Sequence, residues 1–234
     1  MAVNTRNSIV TNGLVLALDA GNAKSYTSGS ATWRDVSGNN TNGSLINGPT
    51  FDSSNGGSIV FDGTNDYILS NSAINTGQNF TVDVWFKLTT SGRRALVSNS
   101  YLYTTNTGWY FFIGGSGITN NLALSIGTDQ AYVNTPANAI INNQWYNACG
   151  TVANGGNNMQ LYLNGIPLTP ASNLLTTVPI VYTIPNYKIG ALLVTGANDY
   201  YSGNISLTKI YNRTLSQQEV LQNYNATKTR FGLS

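Results

Sequence analysis

Apolar and polar residues alternate along most of this chain, in short runs bounded by Gly and Asn. A period of two is the mark of a strand with one buried face. The clearest run is FTVDVWFKL (80–88), where Phe80, Val82, Val84 and Phe86 point one way and Thr81, Asp83, Trp85 and Lys87 the other. GLVLALDA (13–20) sets Leu14, Leu16 and Leu18 on one face. SIVFDG (58–63) and DYILS (66–70) form a pair divided by Gly63-Thr64-Asn65. The series continues with RALVSN (94–99), WYFFIG (109–114), LALSIG (122–127), QAYVNT (130–135), YNACGTVA (146–153), YKIGA (187–191) and GNISLTKIYN (203–212). Within MQLYLNGIPLT (159–169), Asn164-Gly165 suits the left-handed positions of a tight hairpin turn. Many short strands with turn signals between them predict an all-β sandwich or closed barrel.

The pattern changes only near the end. Ser216 and Glu219 frame S-Q-Q-E, a capping box in which each side chain satisfies an orphan amide of a helix start. Leu215 and Val220 are spaced as a hydrophobic staple across that cap. Val220, Leu221 and Tyr224 give one apolar side, so a short C-terminal helix is expected.

Composition narrows the function. Charged residues make up 9% of the 234, against about 25% in an ordinary domain. Fourteen Tyr and four Trp still argue for an ordered core. The net charge is +2 and Arg93-Arg94 is the nearest approach to a basic run, which disfavours a nucleic-acid footprint. No stretch approaches the roughly 18 apolar residues of a membrane-spanning helix, so membrane insertion is not expected. MAVNTRNSIVTNG lacks the apolar core of a secretory signal. The one cysteine, Cys149, lies in a predicted strand and reads as a buried thiol.

With no histidine, Ser/His/Asp and Cys/His nucleophile systems are absent. Paired-carboxylate chemistry needs two acids flanking a sugar bond. The chain offers eight scattered aspartates and Glu219, already assigned to the cap, and no strand carries acids at i and i+2. An enzyme is therefore not expected, nor is a cofactor. Calcium is the one metal considered, at Asp62 and Asp66, which flank a Gly-Thr-Asn turn. The competing reading is that such turn acids bond their own backbone. For ligand binding the candidates are Trp33, Trp109 and Tyr110, Asp199 with Tyr200 and Tyr201, and Trp85 beside Asp83. Each aromatic among them also has a packing alternative.

The order of motifs is more specific than any one of them. GLVLALDAG, TWRDVSGNNTNGSLINGPTF, GGSIVFDGTNDYI, FTVDVWFKL, QWYNACGTV, MQLYLNGIPL and GNISLTKIYNRTLSQQEVLQNYNA follow one another along residues 12–226. In this order they resemble a LamG-like jelly-roll domain of the concanavalin A-like lectin/glucanase superfamily. The resemblance implies two antiparallel sheets packed face to face, one of them concave and partly exposed, with residues 1–11 as an arm and 227–234 as a tail. The superfamily's glucanase motif, two glutamates bracketing an aspartate on a strand, has no match here. Ile205-Ser206 stands where members often carry Ile-Asp, an acid that can help hold a structural calcium.

The opening and closing motifs resemble those of domains in phage and large-virus structural proteins. That resemblance implies a non-catalytic virion protein: a capsid decoration, fibre or tail component. Its partners would be other virion subunits and itself, met through Val3, Asn4, Arg6 and Ile9 of the arm and Phe231 and Leu233 of the tail. The alternative is a lectin-like carbohydrate-binding module with a glycan partner.

Overall fold

A computed structural model describes residues 8–99, 108–115, 117–127, 129–181, 186–192 and 199–234. The strands in chain order begin with β1 (Leu14–Asp19), β2 (Thr32–Trp33), β3 (Gly43–Ile46), β4 (Thr50–Asp52), β5 (Ser58–Asp62) and β6 (Tyr67–Ala73). They continue with β7 (Phe80–Leu88), β8 (Arg94–Ser98), β9 (Trp109–Gly115), β10 (Ile118–Ile126), β11 (Ala131–Asn134) and β12 (Trp145–Ala153). The last are β13 (Asn158–Leu163), β14 (Ile166–Pro167), β15 (Ser172–Leu174), β16 (Asn186–Ile189), β17 (Ala191–Leu192), β18 (Asp199–Tyr200) and β19 (Ser202–Tyr211). A single α-helix among the described residues, α1 (Gln217–Thr227), follows them.

The strands form two large antiparallel sheets. The back sheet runs β14-β13-β12-β7-β19-β5-β4, with β1 pairing the far end of β19. The front sheet runs β15-β11-β10-β9-β8-β16-β6-β3-β2. Their inner faces meet in one core, to which β7 gives Phe80, Val82, Val84 and Phe86, as its alternation predicts. β9 answers with Trp109, Phe111 and Ile113, and Trp109 stacks on Phe80 with ring centroids 4.9 Å apart. The jelly-roll sandwich expected from the sequence is the observed fold. Asn164 and Gly165 take φ 51° and 77° in the β13–β14 hairpin, and the Asn164 Oδ1 accepts from Asn147 N at 2.9 Å.

The outer face of the back sheet is also covered. The helix starts where its signal placed it: Ser216 Oγ accepts from Glu219 N, and Glu219 reaches back to Ser216 N. Leu215 and Val220 join Cys149, Tyr162, Tyr211 and Val10 in a second apolar cluster between helix and sheet. Beyond the helix, Phe231 stacks on Trp85 at 4.0 Å and meets Trp145 at a tilt, with centroids 4.8 Å apart. Phe231 and Leu233 therefore pack against the chain's own back sheet. The indole rings offer both residues apolar cover within the domain.

Residues 8–12 are likewise held by the domain. Val10 N donates to Asn223 Oδ1 at 2.8 Å, Tyr211 Oη donates to Val10 O at 3.0 Å, and Gln222 Nε2 donates to Ser8 O at 2.8 Å. Ile9, half-buried here, lies between these anchored residues. Val3, Asn4 and Arg6 lie outside the described residues.

Glu219 also forms a two-bond pair with Arg213, at 2.6 and 2.9 Å. Arg213, aided by the Ser216 amide, holds the Glu219 carboxyl down to about 2, below its ordinary 4.5. A carboxyl lowered on folding contributes stability above its unfolded value and loses it as pH falls toward its folded value. Stability should therefore drop between pH 4.5 and about 2. In acid titrations followed by urea unfolding, Glu219→Gln should be less stable at neutral pH and show a shallower acid slope than the parent.

Candidate functional site on the front sheet

The front sheet differs from the back one in what lies on its outer face. In β9, Tyr110 and Phe112 point outward while Trp109, Phe111 and Ile113 point in. Pairing sets Tyr110 opposite Ser98 and Ser125, and Ser125 opposite Tyr132. The next row along is Ala95, Phe112, Ala123, Asn134 and Ser172. Small residues beside the rings, Ala95 and Ala123, let Tyr110 and Phe112 lie together at 5.0 Å, with Leu192 over them.

Polar groups ring these aromatics. Asp129, at φ 57° in the β10–β11 turn, accepts from Ser125 Oγ at 2.6 Å and from the Tyr110 hydroxyl, both on Oδ1. Burial and the Asp129 charge push the Tyr110 hydroxyl's pKa up, so it stays a donor. Asn134 Nδ2 donates to Ser172 Oγ at 3.3 Å. The Arg93 guanidinium lies 5.3 Å above the Phe112 ring and pairs with Asp199 at 2.8 Å. Burial raises the Asp199 pKa, against the pull of Arg93 and Arg94.

Between these groups is a cleft of about 190 Å³ lined by Phe112, Ile118, Asp129, Tyr132, Asn134 and Ser172. Across Ile118 a broader hollow of about 580 Å³ opens, lined by Arg93, by the end of β9 at Gly115 and by loop residues such as Gly92 and Gly117. An aromatic wall with a few fixed donors and acceptors can hold a flat ligand with one apolar face and hydroxyl edges.

Most residues singled out from the sequence are elsewhere. Trp33, Trp109 and Tyr201 lie in the inter-sheet core, and Asp83 and Trp85 lie under the helix and tail; none of the five is more than 1% exposed. They offer a ligand no surface, because both faces of their strands are covered. Tyr110 is on the front face, but it forms the buried floor of the site. Asp199 and Tyr200 are half-buried on β18 at its rim. The lining residues Phe112, Tyr132 and Asn134 carried no local signal beyond lying in predicted strands, and Ser172 carried none. Asp129 stood out only as an acid.

The calcium candidates are engaged with backbone. Asp62 Oδ1 accepts from Thr64 N at 2.7 Å, and Asp66 Oδ2 accepts from Asp62 N at 3.1 Å. At Ser206, the position where the resemblance implies an acid, the Arg230 guanidinium gathers the nearby oxygens. It bonds Asn55 O at 2.8 Å, Gly57 O at 2.7 Å, Ser206 Oγ and Asp19. A fixed side-chain cation thus satisfies oxygens of the kind that bind a metal. Among the described residues no three His, Cys, Asp or Glu side chains cluster.

Fold and cleft together define a lectin-type jelly roll. The chain belongs to the concanavalin A-like lectin/glucanases superfamily, whose Laminin G model matches residues 62–221. No curated protein matches it in sequence. Among solved structures it is similar to botulinum neurotoxin type C, whose cell entry depends on interaction with two ganglioside molecules. That match has TM-score 0.69 and 14% identity over 93% of this chain and 52% of that one. It is also similar to the binding domain of Paraclostridial Mosquitocidal Protein 1 (0.66, 20%, 92% and 52%). A third match is the botulinum neurotoxin serotype D ligand binding domain in complex with N-acetylneuraminic acid (0.63, 15%, 94% and 52%). At such identities the likeness is one of fold, and the chain spans about half the length of each of these structures.

Proposed function

We propose that the protein is a non-catalytic carbohydrate-binding domain that holds a glycan on the outer face of its front sheet. The observation that carries this reading is the cleft in which Phe112 and Tyr132 form a wall beside Asp129, Asn134 and Ser172. A sugar ring places its C–H face on such a wall and its hydroxyls against the amide, hydroxyl and carboxylate. Oδ1 of Asp129 is taken by Tyr110 and Ser125, which fixes the carboxylate at the cleft. The two acids on this face, Asp129 and Asp199, are occupied by those hydroxyls and by Arg93 respectively, which suits binding better than acid–base work. Similarity in fold to domains that bind gangliosides and N-acetylneuraminic acid supports the same reading.

Virion attachment, with capsid or tail subunits as partners, concerns where such a domain is mounted, and the cleft does not bear on it. The test is an immobilised-glycan array followed by calorimetric titration of the best ligand. Tyr132→Ala should weaken binding by about 5- to 10-fold through loss of a stacking surface. An array without any hit for the intact protein would overturn the reading.

A further inference from the structure

Under the helix, away from the front cleft, lies a cluster of reactive groups that glycan binding does not use. Lys209 of β19 and Asp83 of β7 are directly opposed and both wholly buried. Lys209 Nζ is 3.0 Å from Asp83 Oδ2, yet is off line for a directed hydrogen bond. The same oxygen accepts from Asn223 Nδ2 of α1 at 3.3 Å. Asn223 is itself fully buried, its Nδ2 also donates to Tyr211 Oη at 3.0 Å, and its Oδ1 accepts from Val10 N at 2.8 Å. Trp85, Cys149, Tyr211 and Val220 close the surroundings to water. Burial raises the Cys149 thiol's pKa and keeps it protonated, so the amine is the nucleophile of this cluster.

We propose that Lys209 and Asn223 join in an intramolecular isopeptide bond, formed by the folded protein with Asp83 as proton shuttle. The Lys209 ammonium passes a proton to Asp83 Oδ2 and becomes a neutral amine. Its nitrogen pair attacks Asn223 Cγ, whose carbonyl oxygen is polarised by the Val10 N–H as in an oxyanion hole. Asp83 returns the proton to Nδ2, the Cγ–Nδ2 bond breaks to release ammonia, and the second amine proton passes to the Asp83 carboxylate. One N–C bond forms, one breaks, and no oxidant or co-reactant is needed. The effective concentration of two groups held on one carboxylate oxygen is what makes an uncatalysed amide exchange feasible.

The product would tie the last strand to the helix that covers it. The experiment is intact-mass spectrometry of the purified, denatured protein, with tryptic mapping. A mass lower by one ammonia is expected, with residues 189–213, uncut after Lys209, joined to residues 214–228. Lys209→Met, and Asp83→Leu combined with Lys209→Met, in which neither charge is left buried alone, should both show their full calculated mass, the double variant with the folded circular-dichroism spectrum. A wild-type chain of full mass would overturn the proposal. So would an ammonia loss that maps elsewhere or persists in Lys209→Met.

Discussion

Asp83→Ala should cost the fold about 3–5 kcal/mol, read as a lower urea midpoint at unchanged slope. The carboxylate is wholly buried, accepts from Asn147 Nδ2 at 2.6 Å and Asn223 Nδ2 at 3.3 Å, and lies 3.0 Å from the Lys209 ammonium nitrogen. Removing it leaves a lysine in apolar surroundings without a counter-charge, and two side-chain amides lose an acceptor. In a chain that cannot form the isopeptide bond, the ion pair itself contributes much less than its breakage costs, since both charges gave up their hydration. Asp83→Leu combined with Lys209→Met should therefore recover a large share of the loss. A double variant no better than Asp83→Ala alone would contradict this account.

Trp85→Ala should be comparably damaging, by about 3–5 kcal/mol. The indole is fully buried, with Phe231 stacked at 4.0 Å, Tyr224 at 5.8 Å, and its Nε1–H donating to Thr227 Oγ1 at 2.9 Å. Its loss opens a cavity where the helix end and the tail meet the sheet. The effect should be local before it is global. Hydrogen exchange at Thr227–Phe231 should accelerate far more than at the β9 and β10 amides, and equal acceleration across the molecule would count against the proposed anchoring.

The inner face of β7 was legible because strict alternation of Phe80, Val82, Val84 and Phe86 fixes both strand and side. Its outer face was not. Asp83 and Trp85 look solvent-facing from nearby sequence, and nothing local shows that a helix and tail far along the chain land on them. The helix start could be read because a capping box is a local device, complete within four residues. Strands such as Thr32–Trp33 and Ser172–Leu174 are too short for a period to register and exist because a neighbouring strand pairs with them. The front cleft is harder still. Tyr132 and Asn134 come from one strand, Phe112 from another, Ser172 from the sheet edge and Asp129 from a turn. Only strand register puts them side by side. Loop aromatics such as Trp33 attracted attention instead, and in the fold they fill the core.

The β13–β14 hairpin has a consequence for how the protein ages. An Asn-Gly pair is the sequence most prone to cyclise and deamidate, when the glycine nitrogen reaches the asparagine side-chain carbonyl. Here the Asn164 side chain is held away by the bond from Asn147 N, and Asn164 N donates in turn to Asn147 O at 2.8 Å. The strand that shapes the turn also guards it, so chemical damage at this position is coupled to unfolding, and storage lifetime should follow conformational stability.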